Sequence, residues 1–243
     1  MDQGTAPESA MWSLRSRGPA HAVSHRCLDV QRSARPRCFF GRLLGFDPLH
    51  PYAVAWYRGA LGERRVGRIL AGLGREWRVL HAVPQGDGDS AIDHLVIGPP
   101  GVFTLTTVGV IEAEAEARAA SRSLTRATGI PVGVSGIVVD PFAHALTAGR
   151  SAQLVPANRL IRHLRDLPTT LGPDTVASVA RAAEEWTTWK PFVVDAGHRD
   201  PVGAFERLHA EVVGARVRRT LWLIAGAAAL IASVFAIASL LPS

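Results

Sequence analysis

Lysine is almost absent from this chain of 243 residues. Of its 27 basic residues only Lys190 is a lysine, and the others are arginine. A mechanism that depends on a lysine ammonium group therefore has one candidate in the whole chain. The arginine bias, together with abundant alanine, valine and glycine, is typical of a GC-rich bacterial genome. The net charge of +6 is compatible with binding to nucleic acid or to an anionic membrane, and equally with a solvated surface that carries arginine in place of lysine.

Cysteine and the common catalytic motifs are also scarce. The two cysteines, Cys27 and Cys38, form no Cys-x-x-Cys pair and have no further metal ligands clustered near them in the sequence. This pattern excludes a disulfide framework and a zinc site, and it indicates a reducing compartment. The N-terminus has no uninterrupted apolar run, so the sequence predicts no secretory signal peptide. We find no glycine-rich phosphate loop and no serine or cysteine in a recognisable nucleophile motif.

Charge is absent from one long segment near the C-terminus. Leu221 to Leu241 contains no charged residue, and at about 1.5 Å per residue it is about 30 Å long, which matches a bilayer core. Arg216, Arg218 and Arg219 precede it, and Trp222 stands where an interfacial aromatic residue is expected. The sequence therefore predicts a single-pass protein of the bacterial cell membrane, with the preceding domain on the cytoplasmic side. The alternative is a buried helix of a soluble fold.

Small residues recur at four-residue spacing inside this segment, at Ala225, Ala229 and Ser233. Such a face can pair two helices in a membrane, which would give a homodimer through the anchor. An alanine-rich sequence produces the same spacing by chance.

The chain divides into four parts by composition. Residues 1–47 are basic and show no sustained helix or strand period, so we predict that they are mostly disordered. Residues 48–194 carry the periodic segments of one domain. Residues 195–220 are predicted to be a linker that leads into a juxtamembrane helix, and residues 221–241 are the predicted span.

The domain has a mixed pattern of helices and strands. A stripe at Val66, Ile69 and Leu70 predicts a helix over 51–75. Strands are predicted at 77–83, 91–97, 102–108 and 132–139, with a shorter one at 153–155, and the turn at 98–101 predicts a hairpin. Further helices are predicted at 112–128, 158–167, 174–189 and 201–220. This order indicates an α/β domain with a mixed sheet.

Two carboxylates converge in this scheme. Strand alternation places Asp93 on one face with Leu95 and Ile97, and His94 on the other face. Glu63 borders the apolar stripe of the first helix. A carboxylate among aliphatic side chains is costly unless it is paired, protonated or bound to metal, and two of them are the minimum for a divalent cation such as Mg²⁺. The simpler alternative is that Asp93 accepts hydrogen bonds from a neighbouring loop.

These segments resemble a known family. They are similar in order and spacing to the nuclease-related domain, called NERD, in the form found in actinobacteria. The segments are GALGERRVGRIL, WRVLHAVP and AIDHLVIGPPGVFTL. The resemblance runs from Tyr52 to Trp189 and weakens towards its end. The family is grouped with the PD-(D/E)xK nucleases, which implies a mixed sheet flanked by helices and a Mg²⁺- or Mn²⁺-dependent cleavage of phosphodiester bonds.

The resemblance also assigns roles to single residues. Glu63 would be the helix carboxylate and Asp93 the metal-binding aspartate. The acid and the lysine that end the third strand of the family would fall on Thr106 and Val108, which supply neither a carboxylate nor an ammonium group. Only residues 109–111 separate this strand from the next helix, where relatives carry a hairpin-length segment. The resemblance therefore implies a shortened domain with a vestigial site.

Three functional hypotheses follow. The first is a membrane-anchored, catalytically inactive nuclease relative that binds DNA, RNA or protein. The second is a residual metal-dependent nuclease that uses Glu63, Asp93 and His94. The third is a membrane-anchored interaction protein that has no role with nucleic acid.

Overall fold

A computed structural model describes residues 14–33, 38–46, 48–85, 90–107, 109–143, 154–189 and 201–240. Seven α-helices lie in these ranges: α1 (His21–Arg32), α2 (Phe39–Leu44), α3 (Ala53–Leu70), α4 (Val110–Thr128), α5 (Leu160–Asp166), α6 (Pro173–Glu184) and α7 (Pro201–Leu240). Short 3₁₀ turns at Leu14–Ser16, Ala157–Arg159 and Trp186–Thr188 complete the helical structure.

One mixed sheet organises the domain. Its strands are β1 (Arg78–Pro84), β2 (Ala91–Gly98), β3 (Gly101–Thr106), β4 (Val134–Asp140) and β5 (Leu154–Pro156), in the spatial order β1-β2-β3-β4-β5. The first three strands are antiparallel neighbours, and β4 and β5 run parallel to β3. The predicted hairpin between β2 and β3 is confirmed. Its Gly101 has a φ of 145°, a backbone angle that residues with a side chain rarely adopt. The sequence thus predicted the mixed α/β class correctly.

Two apolar clusters cover the two faces of the sheet. On one face, Leu80, Leu95 and Val102 pack against α4 and α6. On the other face, Val96, Phe103 and Leu105 pack against α3 and α5. Alternation along β2 and β3 produces this division, because neighbouring strand residues point to opposite faces.

Strand β3 does not lie at an edge of the sheet, although its connection to α4 is short. Gly109 begins α4 in an extended conformation, and α4 carries the chain back so that β4 pairs with β3 in parallel. Within the described residues the outer strands are β1 and β5. The short connection therefore leaves β3 in the centre of the sheet.

A third cluster corrects the prediction for the N-terminal segment. The sequence predicted disorder over residues 1–47, but α1 and α2 form there, and Ala20 and Cys27 are completely buried. They pack with Tyr57 of α3 and with Phe205 and Val212 of α7, and we call this group of helices the helical flank. The prediction was wrong because it judged α1 by its own weak pattern, whereas packing against two other helices supplies the burial.

The C-terminal helix extends beyond the domain. Up to Ala215 its buried residues recur every three or four positions, so one face of the helix is buried. From Arg216 to Phe235 no residue is buried. It is the one helix in the described part of the chain that is long and apolar enough to cross a membrane, with a mean hydropathy of 1.4 in a window that is 0% buried. The predicted juxtamembrane helix and the predicted span therefore form a single helix of 40 residues.

Candidate functional site

Asp93 lies beside the end of β3, where the resemblance placed the site. The register of β2 and β3 brings Asp93 next to Thr106 and Thr107. The Thr107 amide donates to Asp93 Oδ2 at 3.4 Å, and the side chain of Thr106 also hydrogen-bonds to this carboxyl group. Thr106 is buried and occupies the predicted position of the motif acid. Val108, the predicted position of the motif lysine, lies outside the described residues.

Glu63 approaches the same region from α3. It lies at helical spacing from Ala60, Val66 and Leu70, which are all buried, so the stripe that packs α3 on the sheet also carries Glu63 inward. Only 6% of Glu63 is exposed. Its electrostatic neighbours include Asp93, so the structure brings the two predicted carboxyl groups together.

The structure adds a third carboxyl group, Glu116 of α4, that the sequence interpretation did not single out. Glu116 interacts electrostatically with both Glu63 and Asp93, and its Oε2 is buried without a hydrogen-bond partner. We call Glu63, Asp93 and Glu116 the carboxyl cluster. Helical spacing could have revealed the third member, because Glu116 lies three residues after Ala113 and four before Ala120, which are both buried.

Burial and mutual repulsion favour the neutral form of the cluster. Burial, with Asp93 and Glu116 nearby, raises the pKa of Glu63 well above its usual value. Burial raises the pKa of Asp93 to about 6, although the hydrogen bonds from Thr107 and Thr106 act in the opposite direction. Burial, Asp93 and Glu112 raise the pKa of Glu116 to about 8. The neighbouring charges that raise the pKa values of Glu63 and Glu116 are other carboxylates, so mutual repulsion adds to burial in favouring the protonated forms.

The cluster as it stands does not have the geometry of a metal centre. Among the described residues, no three His, Cys, Asp or Glu side chains are placed so that they could hold a metal ion together. A cation would have to draw the carboxyl groups closer than they lie here, because Mg²⁺ and Mn²⁺ need oxygen ligands at about 2 Å. Metal binding by Glu63 and Asp93 stays a prediction.

His94 belongs to a different environment from its neighbour Asp93. Its Nδ1 lies 2.8 Å from Nδ1 of His81, which is its partner across β1 and β2, and the two rings are nearly perpendicular. Burial lowers the pKa of His94 to about 3 and that of His81 to about 4. We call these two residues the histidine pair. Both rings are neutral near pH 7, so one Nδ1 donates and the other accepts. Nδ1 of His94 is therefore already bonded to His81 on the neighbouring strand β1.

The strand beside Asp93 is locally irregular. Ala82 of β1 has a positive φ of 49° and lies between residues that pair with His94 and Ile92. Strict alternation would place Ile92 on the face of His94, but Ile92 packs with Leu95 and Ile97 instead. A left-handed alanine is strained by roughly 1–2 kcal/mol, so surrounding contacts must hold it in place.

Comparison with known proteins agrees with the motifs. Residues 58–112 match the family model of the nuclease-related domain, NERD. The match covers under a quarter of the chain, from the middle of α3 to the first turn of α4, and it includes Glu63, Asp93 and Thr106. No curated protein and no solved structure matches the chain. The resemblance is therefore confirmed for residues 58–112, which carry the nuclease-related segment of this mixed α/β domain.

Proposed function

We propose that this protein is a membrane-anchored nuclease relative that no longer hydrolyses nucleic acid and acts by binding nucleic acid or protein. The observation that carries the proposal is Thr106. It occupies the place of a metal-binding acid and gives its hydrogen bond to Asp93. A hydroxyl group is a poor ligand for Mg²⁺ compared with a carboxylate, and here it serves the aspartate instead of a metal.

The chemistry of the remaining groups supports an inactive site. Hydrolysis of a phosphodiester requires ionised carboxylates to hold the metal and a cation to stabilise the developing negative charge. Burial raises the pKa of Glu63 and so favours its neutral form, and it raises the pKa of Glu116 to about 8. Val108 has no polar atom, Lys190 follows the last domain helix in the sequence, and an arginine cannot readily give up a proton.

The proposed place of action is the cytoplasmic face of a bacterial membrane. The apolar side chains of α7 from Leu221 to Phe235 are exposed, which is costly in water and favourable in lipid. Arg216, Arg218 and Arg219 precede the apolar run, and a basic flank favours the cytoplasmic side.

The test uses the full chain in lipid nanodiscs. Calorimetric titration with Mn²⁺ and Mg²⁺ is followed by incubation with labelled single-stranded DNA, double-stranded DNA and RNA. We expect no metal binding at Asp93 and no cleavage. Asp93→Asn is the test variant, and Asp166→Asn is the matched control because Asp166 is an exposed carboxylate on α5. Metal binding and cleavage that Asp93→Asn abolishes and Asp166→Asn retains would overturn the proposal.

A residual Mg²⁺- or Mn²⁺-dependent nuclease is the second candidate, and Glu116 is the observation that favours it. Three carboxyl groups that repel each other would gain from a divalent cation between them, which could offset the missing acid. His94 does not add to this candidate, because its ring is paired with His81. The same titration separates the two candidates.

An interaction protein with no role for nucleic acid is the third candidate. Binding of DNA or RNA through arginine weakens steeply with salt, because it releases counterions from the phosphates. Affinity that falls between 50 and 200 mM salt, roughly a thousandfold for six or more phosphate contacts, would argue for nucleic acid. No binding at the lower salt concentration would leave a protein partner.

A further inference from the structure

Short helix α2 exposes an unusual amount of apolar surface. Phe39, Phe40 and Phe46 are 72%, 68% and 48% exposed, and Leu43 is 42% exposed. We call these four residues the α2 aromatic patch. None of the three apolar clusters of the domain includes them. An exposed group of large apolar side chains marks a surface that contacts another phase or another molecule.

The patch is held at the entrance of the membrane-spanning segment. The indole Nε1 of Trp222 donates to the carbonyl of Leu43 at 3.1 Å, and the Nε of Arg218 donates to the carbonyl of Arg42 at 3.1 Å. Trp222 is the second residue of the uncharged run. The last turn of α2 therefore lies level with the first turn of the apolar segment.

Gly45 sets the direction in which α2 leaves α7. Its φ of 76° ends α2, and a side chain there would overlap the carbonyl of Ala215. Gly45 thus lies against α7 between Ala215 and Arg219, and two residues earlier the Leu43 carbonyl meets the side chain of Trp222. Phe39 and Phe40 lie a further turn back along α2.

A second pair of exposed aromatic side chains lies at the same end of the domain. Helix α3 runs antiparallel to the start of α7, because Arg64 pairs with Glu206 whereas Tyr57 bonds to His209. The N-terminal end of α3 therefore points towards the apolar run. Tyr52 and Trp56 lie at that end and are 79% and 41% exposed.

Charge at this end fits a layer of phosphate groups. Arg42 and Arg219 are exposed, and the partly exposed Arg218 lies beside the patch. Arginine next to aromatic side chains is the combination that binds the interface of an anionic bilayer, where rings enter the boundary of the acyl chains and guanidinium groups meet phosphates.

We propose that α2 is a second membrane contact: the α2 aromatic patch enters the same leaflet that α7 crosses, and Arg42, Arg218 and Arg219 bind its anionic headgroups. The inference rests on the proposed function in one respect, since it requires α7 to be embedded in a bilayer. The occupant of the patch is lipid. A second copy of the chain or a protein partner on the patch would contradict it.

The native cysteines allow a direct test on the full chain. Cys38 is exposed immediately before Phe39, and Cys27 is buried, so a thiol-reactive, environment-sensitive dye labels Cys38 alone under native conditions. The labelled protein is reconstituted in vesicles of phosphatidylcholine with one quarter phosphatidylglycerol. Lipids that carry a spin label near the top of the acyl chain should quench Cys38 at least about twofold, as expected for side chains about 5–10 Å deep.

Two further probes in a Cys38→Ser background separate the possible failures. Leu230→Cys reports on the apolar part of α7, and Ala177→Cys reports on α6, which packs on the other face of the sheet. Quenching at Leu230→Cys but not at Cys38 would overturn the second contact and leave the anchor in place. Absence of quenching at both positions would overturn the anchor itself. Quenching at Ala177→Cys would show that the assay lacks specificity for α2.

The dye must not create the result that it measures. Cys38 caps α2 by accepting from the Gly41 amide, so Phe46→Cys in the Cys38→Ser background provides an independent label on the patch. Phe39→Ser with Phe40→Ser should abolish most quenching at position 46 and leave Leu230→Cys unchanged. Ile111→Ser removes an equally exposed side chain from α4 and should change neither. Self-quenching of the dye that rises with protein density would instead indicate a second copy on the patch and would overturn the proposal.

Discussion

Two groups of buried polar side chains lie side by side in this domain and behave in opposite ways. Asp93 and His94 are consecutive in β2, but Asp93 joins Glu63 and Glu116, whereas His94 pairs with His81. The histidines share one hydrogen bond, because one neutral ring donates at Nδ1 and the other accepts, although the buried Nε2 of His94 is not satisfied by this pairing. The carboxyl groups repel each other when they ionise. Burial is common to both groups, so what distinguishes the candidate site is the mutual repulsion of its members.

The two groups also respond to pH with opposite signs. A carboxyl group with a raised pKa stabilises the fold at low pH, and that contribution is lost as pH rises through the folded value. A histidine with a lowered pKa stabilises the fold above its unfolded value of 6.5, and that contribution is lost as pH falls. A substitution in either group should therefore remove one of these two pH responses and leave the other.

The largest expected effect comes from Thr106→Glu, which would add a fourth carboxyl group to the cluster. We expect a loss of stability on the order of 3–5 kcal/mol at pH 7.5, because another buried charge would have no cation nearby. Millimolar Mn²⁺ should recover part of that loss. Thermal unfolding of the full chain in detergent, followed by circular dichroism, measures both effects.

Thr106→Val is the control for this substitution. It removes the hydroxyl group that bonds to Asp93 without adding charge, so it should cost about 1 kcal/mol and show no response to Mn²⁺. A Thr106→Glu variant as stable as the native chain would mean that the cluster is more hydrated than the structure indicates.

An intermediate effect is expected from Glu116→Gln. Burial raises the pKa of Glu116 from its ordinary value of 4.5 to about 8, so its contribution is complete below pH 4.5 and is lost between pH 4.5 and 8. At pH 8.5 the glutamine variant should be more stable than the native chain by on the order of 2 kcal/mol, and the difference should shrink towards pH 5. Denaturant unfolding at four pH values gives the profile.

Glu114→Gln is the matched control on the same helix. Its carboxylate is half exposed and pairs with Arg118, so its profile should follow that of the native chain. Identical profiles for Glu116→Gln and Glu114→Gln would remove Glu116 from the cluster.

The smallest effect is expected from replacing the histidine pair with His81→Leu and His94→Leu together. The pair loses its stabilising contribution as pH falls from 6.5 towards about 4 and 3. The double variant should therefore gain on the order of 1–2 kcal/mol over the native chain at pH 4.5 and little at pH 7.5. His163→Leu on α5 serves as the control, and a gain of the same size there would contradict the assignment of acid sensitivity to the pair.

Much of the domain could be predicted from the sequence, because its elements carry their own signals. The stripe on α3, the alternation in β2 and the glycines of the hairpin are local patterns, and they gave the mixed sheet. The place of Thr106 at the site was implied by the resemblance, and the register of β2 and β3 brings it next to Asp93. Metal binding, catalytic inactivity and the choice between nucleic acid and protein stay predictions, since each depends on a ligand.

The features that were missed depend on packing between distant segments. Cys27 is buried because α3 and α7 meet over α1, and nothing within residues 1–47 signals that arrangement. Glu116 was missed because the helix over 112–128 was predicted only as a range, without asking which of its side chains face inward. A fragment that begins at Pro48, as the predicted boundary suggests, would strip α1 from Tyr57 and Phe205 and expose their cluster.

Because α7 is unbroken, the domain and its proposed membrane anchor form one rigid unit. The helix is about 60 Å long at 1.5 Å per residue, and its first 15 residues are clamped by α1 and α3. In the proposed membrane-anchored state the continuous helix fixes the orientation of the domain, which a flexible tether would not, so the carboxyl cluster faces one constant direction relative to the bilayer. Anything that tilts α7 in the membrane, such as a thinner bilayer, would swing that face as a rigid body.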